Sequence, residues 1–142
     1  MADEKGLREL LAQRKLGVLV TIKKDGRPQL SNINYHYDAE RDLIRISVTD
    51  GRAKTRNLRR DPRASLHVSS SDGWSWTVAE GTAELSDVAA GEHDAAVEEL
   101  VDLYRAVQGE HPDWDDYRRA MVRDHRLVVR IPVDRVYGRP LS

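Results

Sequence analysis

The amino-acid sequence predicts an α+β fold built on a mostly antiparallel sheet of six strands with flanking helices. Five segments with the alternating hydrophobicity of strands follow one another closely, and a sixth ends the chain after a pair of helices. The connections between the strands are too short for the helical crossovers that parallel strands need. Closing this sheet into a barrel would remove its exposed edges, so a barrel is the expected architecture.

The hydrophobic pattern places one helix and three strands in the first third of the chain. Leucines at helical spacing predict a helix over residues 3–14. The predicted strands cover residues 16–23, 28–37 and 43–49. Asp25-Gly26 tolerates the positive φ angles of a tight turn, so the first two strands are expected to form a hairpin.

A short helix and three further strands follow. Thr49 or Asp50 is expected to cap a helix that begins near Arg52 and ends at Asp61-Pro62. The remaining strands are predicted at residues 64–69, 74–85 and 127–133. Gly81 lies inside the longest of them and is expected to mark a bulge where that strand bends.

Two helices are predicted between the fifth and sixth strands. Ser86 or Asp87 is expected to cap the first, which carries apolar residues at helical spacing and ends before Gly109. Asp113 is expected to cap the second. The sequence shows no repeat, low-complexity tract or linker, so residues 1–142 are expected to form a single domain.

Composition excludes several classes of protein. The chain has no cysteine, which rules out disulfides, thiolate nucleophiles and cysteine metal sites. Its five histidines lack the spacing of metal ligands, so no metal site is expected. No apolar run approaches the roughly 18 residues of a membrane span, and the first residues do not resemble a signal peptide. We therefore expect a cytoplasmic protein that does not bind membranes.

Charge is distributed unevenly along the chain. Between residues 52 and 63, six basic side chains accompany one acid, whereas between residues 84 and 116 eleven acids accompany one base. The basic segment is a candidate anion site, and the acidic segment is typical of a solvated helical face. A sequence pI of about 6.5 argues against nucleic acid as the partner of the basic segment.

The junction between the third strand and the next helix gives the clearest chemical signal. Gly51 lets the backbone approach a ligand closely, and the start of the helix offers unpaired N–H groups. Arg52 and Lys54 add a bidentate guanidinium and a compact ammonium. This set suits a phosphate or a phosphodiester, although composition alone slightly favours a solvated basic helix.

The segment that spans this junction, Val48-Thr49-Asp50-Gly51-Arg52-Ala53-Lys54-Thr55-Arg56-Asn57-Leu58, also carries a family resemblance. Together with other segments it resembles the coenzyme F420-dependent flavin/deazaflavin oxidoreductases of B type, within the pyridoxamine-phosphate-oxidase-like split-barrel proteins. The other matching segments are residues 17–21, 25–32, 61–64 and 135–138. Each motif is weak alone, but their order and spacing extend the resemblance from Leu7 to about Gly138.

The resemblance implies a split β-barrel that forms a homodimer, with two cofactor sites at the subunit interface. It assigns phosphate binding to Lys54 and Arg52, with Asn57 assisting. The residues it places beside the deazaflavin ring, through backbone and small side chains, are Ser47, Val48 and Thr49. The residues it places along the same cavity are Gln29, Ser31 and Asn32.

Three aromatic residues have a less direct role in the resemblance. Trp74, Trp76 and Tyr137 are expected to complete the pocket from the partner subunit. The two tryptophans fit a position in the core equally well, because their large apolar rings are often buried.

The implied function is transfer of hydride from reduced coenzyme F420 to a small conjugated acceptor, such as a tetrapyrrole, quinone-like or enone compound. Because the cofactor carries the hydride, the protein has only to bind, orient and exclude water, and no catalytic side chain is identified. An FMN-dependent enzyme of the same fold would use the same cationic site. A non-catalytic F420 carrier would also need no further residue, so both alternatives stay open.

Overall fold

A computed structural model describes residues 3–141 of the chain. The helices in this part are α1 (Glu4–Gln13), α2 (Ala53–Arg60), α3 (Ala95–Gln108) and α4 (Trp114–Arg123). The strands are β1 (Leu16–Ile22), β2 (Pro28–Asn34), β3 (His36–Asp38), β4 (Leu43–Thr49), β5 (Arg63–Ser69), β6 (Trp76–Thr82), β7 (Glu84–Leu85), β8 (Arg126–Pro132) and β9 (Arg135–Arg139).

The strands form two antiparallel sheets that face each other across one core. The first sheet has the order β2-β1-β5-β6-β9, and the second has the order β3-β4-β8-β7. Leu19 and Leu66 of the first sheet and Ile46 and Val129 of the second are fully buried between them. The α+β split barrel is therefore confirmed. The two sheets are not joined into a single closed barrel.

Residues 3–141 contain nine strands where six were predicted, because two predicted strands turn a corner between the sheets and a last strand, β9, was not predicted. The segment 28–37 divides at Tyr35, whose hydroxyl donates to the Leu11 carbonyl at 2.7 Å and whose backbone N–H donates to Lys15. The segment 74–85 divides at Ala83, whose N–H donates to the Pro62 carbonyl. The alternating pattern continues through both corners, so it does not reveal them.

Two further expectations about the strands are wrong. The ladder between β5 and β6 runs without a bulge and pairs Ala64 with Gly81. Gly81 instead permits a close approach of the two sheets, since a Cβ there would lie 2.2 Å from the Pro132 carbonyl oxygen. The last strand, β9, was not predicted; it pairs with β6, and only Val136 of its five residues is buried.

Of the three helix caps that were predicted, one agrees with the structure and two differ. Asp113 caps α4 as predicted, accepting from the Asp116 N–H at 3.1 Å. α3 begins at Ala95, because Asp94 rather than Ser86 or Asp87 supplies the cap. Ser86 extends β7 in pairing with Val128.

The helix α2 begins without the cap that was predicted for it. Neither Thr49 nor Asp50 accepts a bond from its first turn through a side chain, and Arg52 occupies the cap position. Thr49 contributes its carbonyl instead, which accepts from the Thr55 hydroxyl at 2.9 Å. The N–H groups of the first turn are therefore left without a side-chain acceptor.

Helices α3 and α4 pack on the outer face of the second sheet. Val128 of β8 is fully buried beneath them, against Val97, Leu100 and Tyr117. This second, smaller core holds the helices over β4 and β8 and encloses a cavity at one end of those strands. Within residues 3–141, no helix is both long enough and apolar enough to cross a membrane.

Candidate cofactor site

A cavity of about 570 Å³ lies where the ends of β2 and β4 meet the start of α2 and the pair α3–α4. It is lined by Leu16, Asn32, Ile33, Asn34, Ser47, Val48, Thr49, Arg52, Lys54, Leu103, Tyr104, Val107, Gln108, Tyr117, Met121 and Arg126. Three of these side chains are cationic and none is acidic. The lining thus carries a positive charge that favours an anionic ligand.

The cationic end of the cavity is built at the start of α2. Gly51 adopts a φ of 84° and turns the chain from β4 into the helix, with open space where a Cβ would lie. The first turn of α2 contains no acidic residue and no side-chain cap. Its N–H groups and the side chains of Arg52 and Lys54 therefore present positive charge at one place.

Lys54 is half-buried and has no carboxylate partner among the described residues. Burial lowers the pKa of its ammonium below the usual 10.5, and the charges of Arg52 and Arg126 lower it further. A lysine whose charged form is disfavoured in the free protein gains from a bound anion. This electrostatic state is typical of a binding site rather than of a solvated basic face.

β4 supplies the floor of the cavity. Val48 points into the core and is 1% exposed, while Ser47 and Thr49 share the opposite face. β3 pairs with β4 only from Leu43 to Arg45. In the part of the chain that the structure describes, the β3 side of residues 47–49 therefore has no strand partner. The Thr49 carbonyl already accepts from Thr55 and Arg52, and the other backbone groups on that side can bind a ligand.

The opposite wall comes from α3 and α4 and is mainly apolar. Leu103, Tyr104, Val107, Tyr117 and Met121 line it. Burial raises the pKa of Tyr117 to about 12, and its hydroxyl donates to the Leu100 carbonyl at 3.0 Å. Tyr117 therefore offers the cavity a ring rather than a hydroxyl. The helical spacing of these residues predicts an apolar stripe, but not that part of the stripe faces a cavity.

Arg126 is the charged lining residue that the sequence analysis missed. It is the first residue of β8, directly opposite Thr49, and its Nη1 lies 3.4 Å from the Ser47 hydroxyl. The sequence carries no signal for it, because its place at the cavity depends on how β8 pairs with β4.

The structure brings together six of the predicted site residues and separates the others from them. Those at the cavity are Arg52, Lys54, Ser47, Val48, Thr49 and Asn32. Asn57 is 6% exposed and lies outside: its Nδ2 donates to Thr21 and to Gln29 at 2.8 Å, and its Oδ1 accepts from Arg60. Asn57 and Gln29 thus tie α2 to the β1–β2 hairpin instead of lining the cavity.

Ser31, Trp74 and Tyr137 also lie outside the cavity of the single chain. Ser31 is half-buried on β2, opposite Leu19. Trp74 is 72% exposed in the β5–β6 connection, so a core position for it is wrong. Tyr137 is 44% exposed on β9 and packs edge-on against Trp76 with ring centroids 6.0 Å apart.

Solved structures with this architecture share less than a quarter of their residues with the chain, so they show the fold alone. A conserved hypothetical protein from Mycobacterium tuberculosis has 24% identity and a TM-score of 0.74, over 99% of this chain and 85% of that one. An F420 reductase has 22% identity and a TM-score of 0.64, over 92% and 94%. A FAD-binding protein from Mesorhizobium loti has 18% identity and a TM-score of 0.68, over 100% and 96%.

The sequence itself identifies the family. Residues 4–139 match the family profile described as pyridoxamine 5'-phosphate oxidase, which is nearly the whole chain. The match includes both sheets and every element that lines the cavity. The protein therefore belongs to the pyridoxamine 5'-phosphate oxidase family.

Proposed function

We propose that the protein binds coenzyme F420 in this cavity and catalyses hydride transfer from the reduced cofactor to a small conjugated acceptor. The observation that carries the proposal is the pairing of two uncompensated cations, Arg52 and Lys54, with the uncapped start of α2. Such a donor set fits a phosphodiester, because both side-chain charges and backbone N–H groups converge on it.

Each wall of the cavity has a distinct task under this proposal. Arg52 and Lys54 bind the phosphodiester, and the unpaired backbone edge of residues 47–49 orients the ring. The apolar wall, which includes Tyr104 and Met121, excludes water from the ring. When bound, reduced F420 supplies the hydride, and the acceptor takes a proton from solvent in the same reduction.

We further propose that the protein is a homodimer whose cofactor sites lie at the subunit interface. The outward row that crosses all five strands of the first sheet consists of Asn32, Val18, His67, Val78 and Tyr137. Beside it, Leu16 and Leu30 are 60% and 62% exposed. Leu16 also lines the cavity, so a partner on this apolar face would reach the site. A monomer in sedimentation equilibrium would contradict this arrangement.

The cofactor is tested by titrating F420 and FMN separately into protein made in a host without F420. We expect F420 to bind, and Lys54→Gln to weaken binding at least about tenfold through loss of a charged hydrogen bond. Arg41→Gln is the matched control, since Arg41 is 75% exposed in the β3–β4 turn. FMN binding without F420 binding would instead assign an FMN-dependent enzyme. Tight F420 binding without turnover over a panel of conjugated acceptors would identify a carrier.

A further inference from the structure

Arg126 has hydrogen-bonding capacity that the fold does not use. Its Nε is buried and has no hydrogen-bond partner among the described residues. Within residues 3–141, its one side-chain hydrogen bond runs from Nη1 to the Ser47 hydroxyl at 3.4 Å, which is near the distance limit. A guanidinium has five N–H donors, and burying them without acceptors destabilises the folded chain.

The surroundings of Arg126 offer no structural reason for its charge. No carboxylate lines the cavity, and within residues 3–141 Arg126 forms no salt bridge. Two other cations, Arg52 and Lys54, lie around the same space. A third cation there repels Lys54 in the free protein, so electrostatics within the cavity disfavour its charge.

We propose that Arg126 binds a second oxyanion of the cofactor, apart from the phosphate at Arg52 and Lys54. This inference rests on the proposed function for the identity of the cofactor. The lining carries three positive charges and no negative one, whereas a phosphodiester carries only one negative charge. Arg126 projects from β8, whereas the other two cations belong to the start of α2, so Arg126 faces the cavity from a different element.

The chemistry of F420 offers such a group, because its phosphodiester continues into a tail of carboxylates. A guanidinium binds a carboxylate in a bidentate manner, which Lys54 cannot do. Arg126 thus makes the site selective for a cofactor with two separated anionic groups. FMN, with one terminal phosphate, satisfies the start of α2 and leaves Arg126 without a partner.

The test compares Arg126→Gln with wild type and with Arg41→Gln, which removes the same charge from an exposed turn. The ligands are F420 and its deazaflavin core, which lacks the phosphodiester and the carboxylates. We expect Arg126→Gln to weaken F420 about tenfold or more and to leave binding of the core unchanged. Arg41→Gln is expected to change neither affinity.

Thermal unfolding of the ligand-free protein adds a second measurement. We expect Arg126→Gln to melt at the same temperature as wild type or higher, because it removes an uncompensated charge. A residue with a merely structural role would lower the melting temperature on substitution. An unchanged affinity for F420, or an equal loss for F420 and for the core, would overturn the proposal.

Failure of the proposed function is distinguishable from failure of this inference. If wild type binds neither F420 nor FMN, the proposed function is wrong, and inorganic pyrophosphate becomes the probe. A rise in melting temperature with pyrophosphate that Arg126→Gln removes would still establish Arg126 as an anion-binding residue. No effect of pyrophosphate on wild type, or an equal effect on the variant, would overturn the inference as well.

Discussion

The arginines at the two ends of the strand pair β4–β8 differ in whether an acidic side chain compensates their charge. At one end, Arg45 and Arg130 lie opposite each other, and α3 covers them with acids. Arg45 Nη1 lies 2.9 Å from Asp102 Oδ2, and Arg130 Nε lies 2.9 Å from a carboxylate oxygen of Glu99. At the other end, Arg126 lies opposite Thr49, no acid lines the cavity beside it, and within residues 3–141 it forms no salt bridge, although Asp124 lies within coulombic range.

This difference separates charge that the fold compensates from charge that it leaves for a ligand. The same helix covers both ends, with carboxylates over one and Leu103, Tyr104 and Val107 over the other. Partly buried cations without partners destabilise a protein, so they persist where binding makes use of them. Under the proposed function, the unpaired end is therefore the end that binds the cofactor.

The largest expected effect comes from removing the acid at the compensated end. Glu99→Ala leaves Arg130 without its bidentate partner and leaves Arg45 with Asp102 alone. We expect the free energy of unfolding to fall by about 2 kcal/mol, the value of a partly buried hydrogen bond between charged groups. Urea denaturation measures the change, which should appear as a lower midpoint.

Glu9→Ala is the control for this substitution, because Glu9 is exposed on α1. We expect that change to leave the unfolding midpoint within error. Affinity for F420 should be the same in both variants, since Glu99 lies outside the cavity lining. Loss of affinity in Glu99→Ala without loss of stability would show that the two ends do not have separate roles.

The next largest effect is a pH dependence of binding at the unpaired end. A bound oxyanion favours protonated Lys54, whose pKa is lowered in the free protein by burial and by Arg52 and Arg126. Affinity is therefore complete below that lowered pKa. It falls as the pH rises through it, by up to about tenfold per pH unit. The fall should begin below pH 10.5, the usual pKa of lysine.

Calorimetric titration across this pH range, with wild type and Lys54→Arg, measures the effect. The guanidinium of the variant stays charged, so its profile should be flat apart from titration of the ligand itself. The variant Arg126→Gln keeps Lys54 but removes one charge that repels it. Its loss of affinity should therefore occur at higher pH than that of wild type. Identical profiles for wild type and Lys54→Arg would mean that Lys54 does not contact the anion.

Local patterns predicted the elements of the site, but not which side chains meet in it. Alternation of hydrophobic and polar residues is a local property of the sequence, so it predicted β4. The charges of Arg52 and Lys54 are also close in sequence, at the start of α2. Arg126 reaches them only through the pairing of β8 with β4, which joins distant parts of the sequence. Asn57 is the opposite case. The motif assigned its side chain to the phosphate, but its amide donates to Gln29 instead.

The smallest expected effect comes from a substitution that gives Arg126, at the unpaired end, a carboxylate partner within the chain. Thr49→Glu would place a carboxylate opposite Arg126, where facing side chains on paired strands have Cβ atoms about 5 Å apart. Thr49→Gln is the control, since it has the same size and lacks the charge. We expect the Glu variant to exceed the Gln variant in unfolding free energy by about 0.5 kcal/mol.

The same pair of variants should show the opposite order in binding. The new carboxylate neutralises Arg126 and repels an oxyanion, so F420 should bind Thr49→Glu more weakly than Thr49→Gln. Urea denaturation and fluorescence titration of the two proteins measure both effects. If Thr49→Glu is more stable than Thr49→Gln and binds F420 more weakly, the charge of Arg126 contributes to both stability and binding. The new carboxylate then competes with the ligand for Arg126. Equal stability in the two variants would show that Arg126 is not in need of a partner.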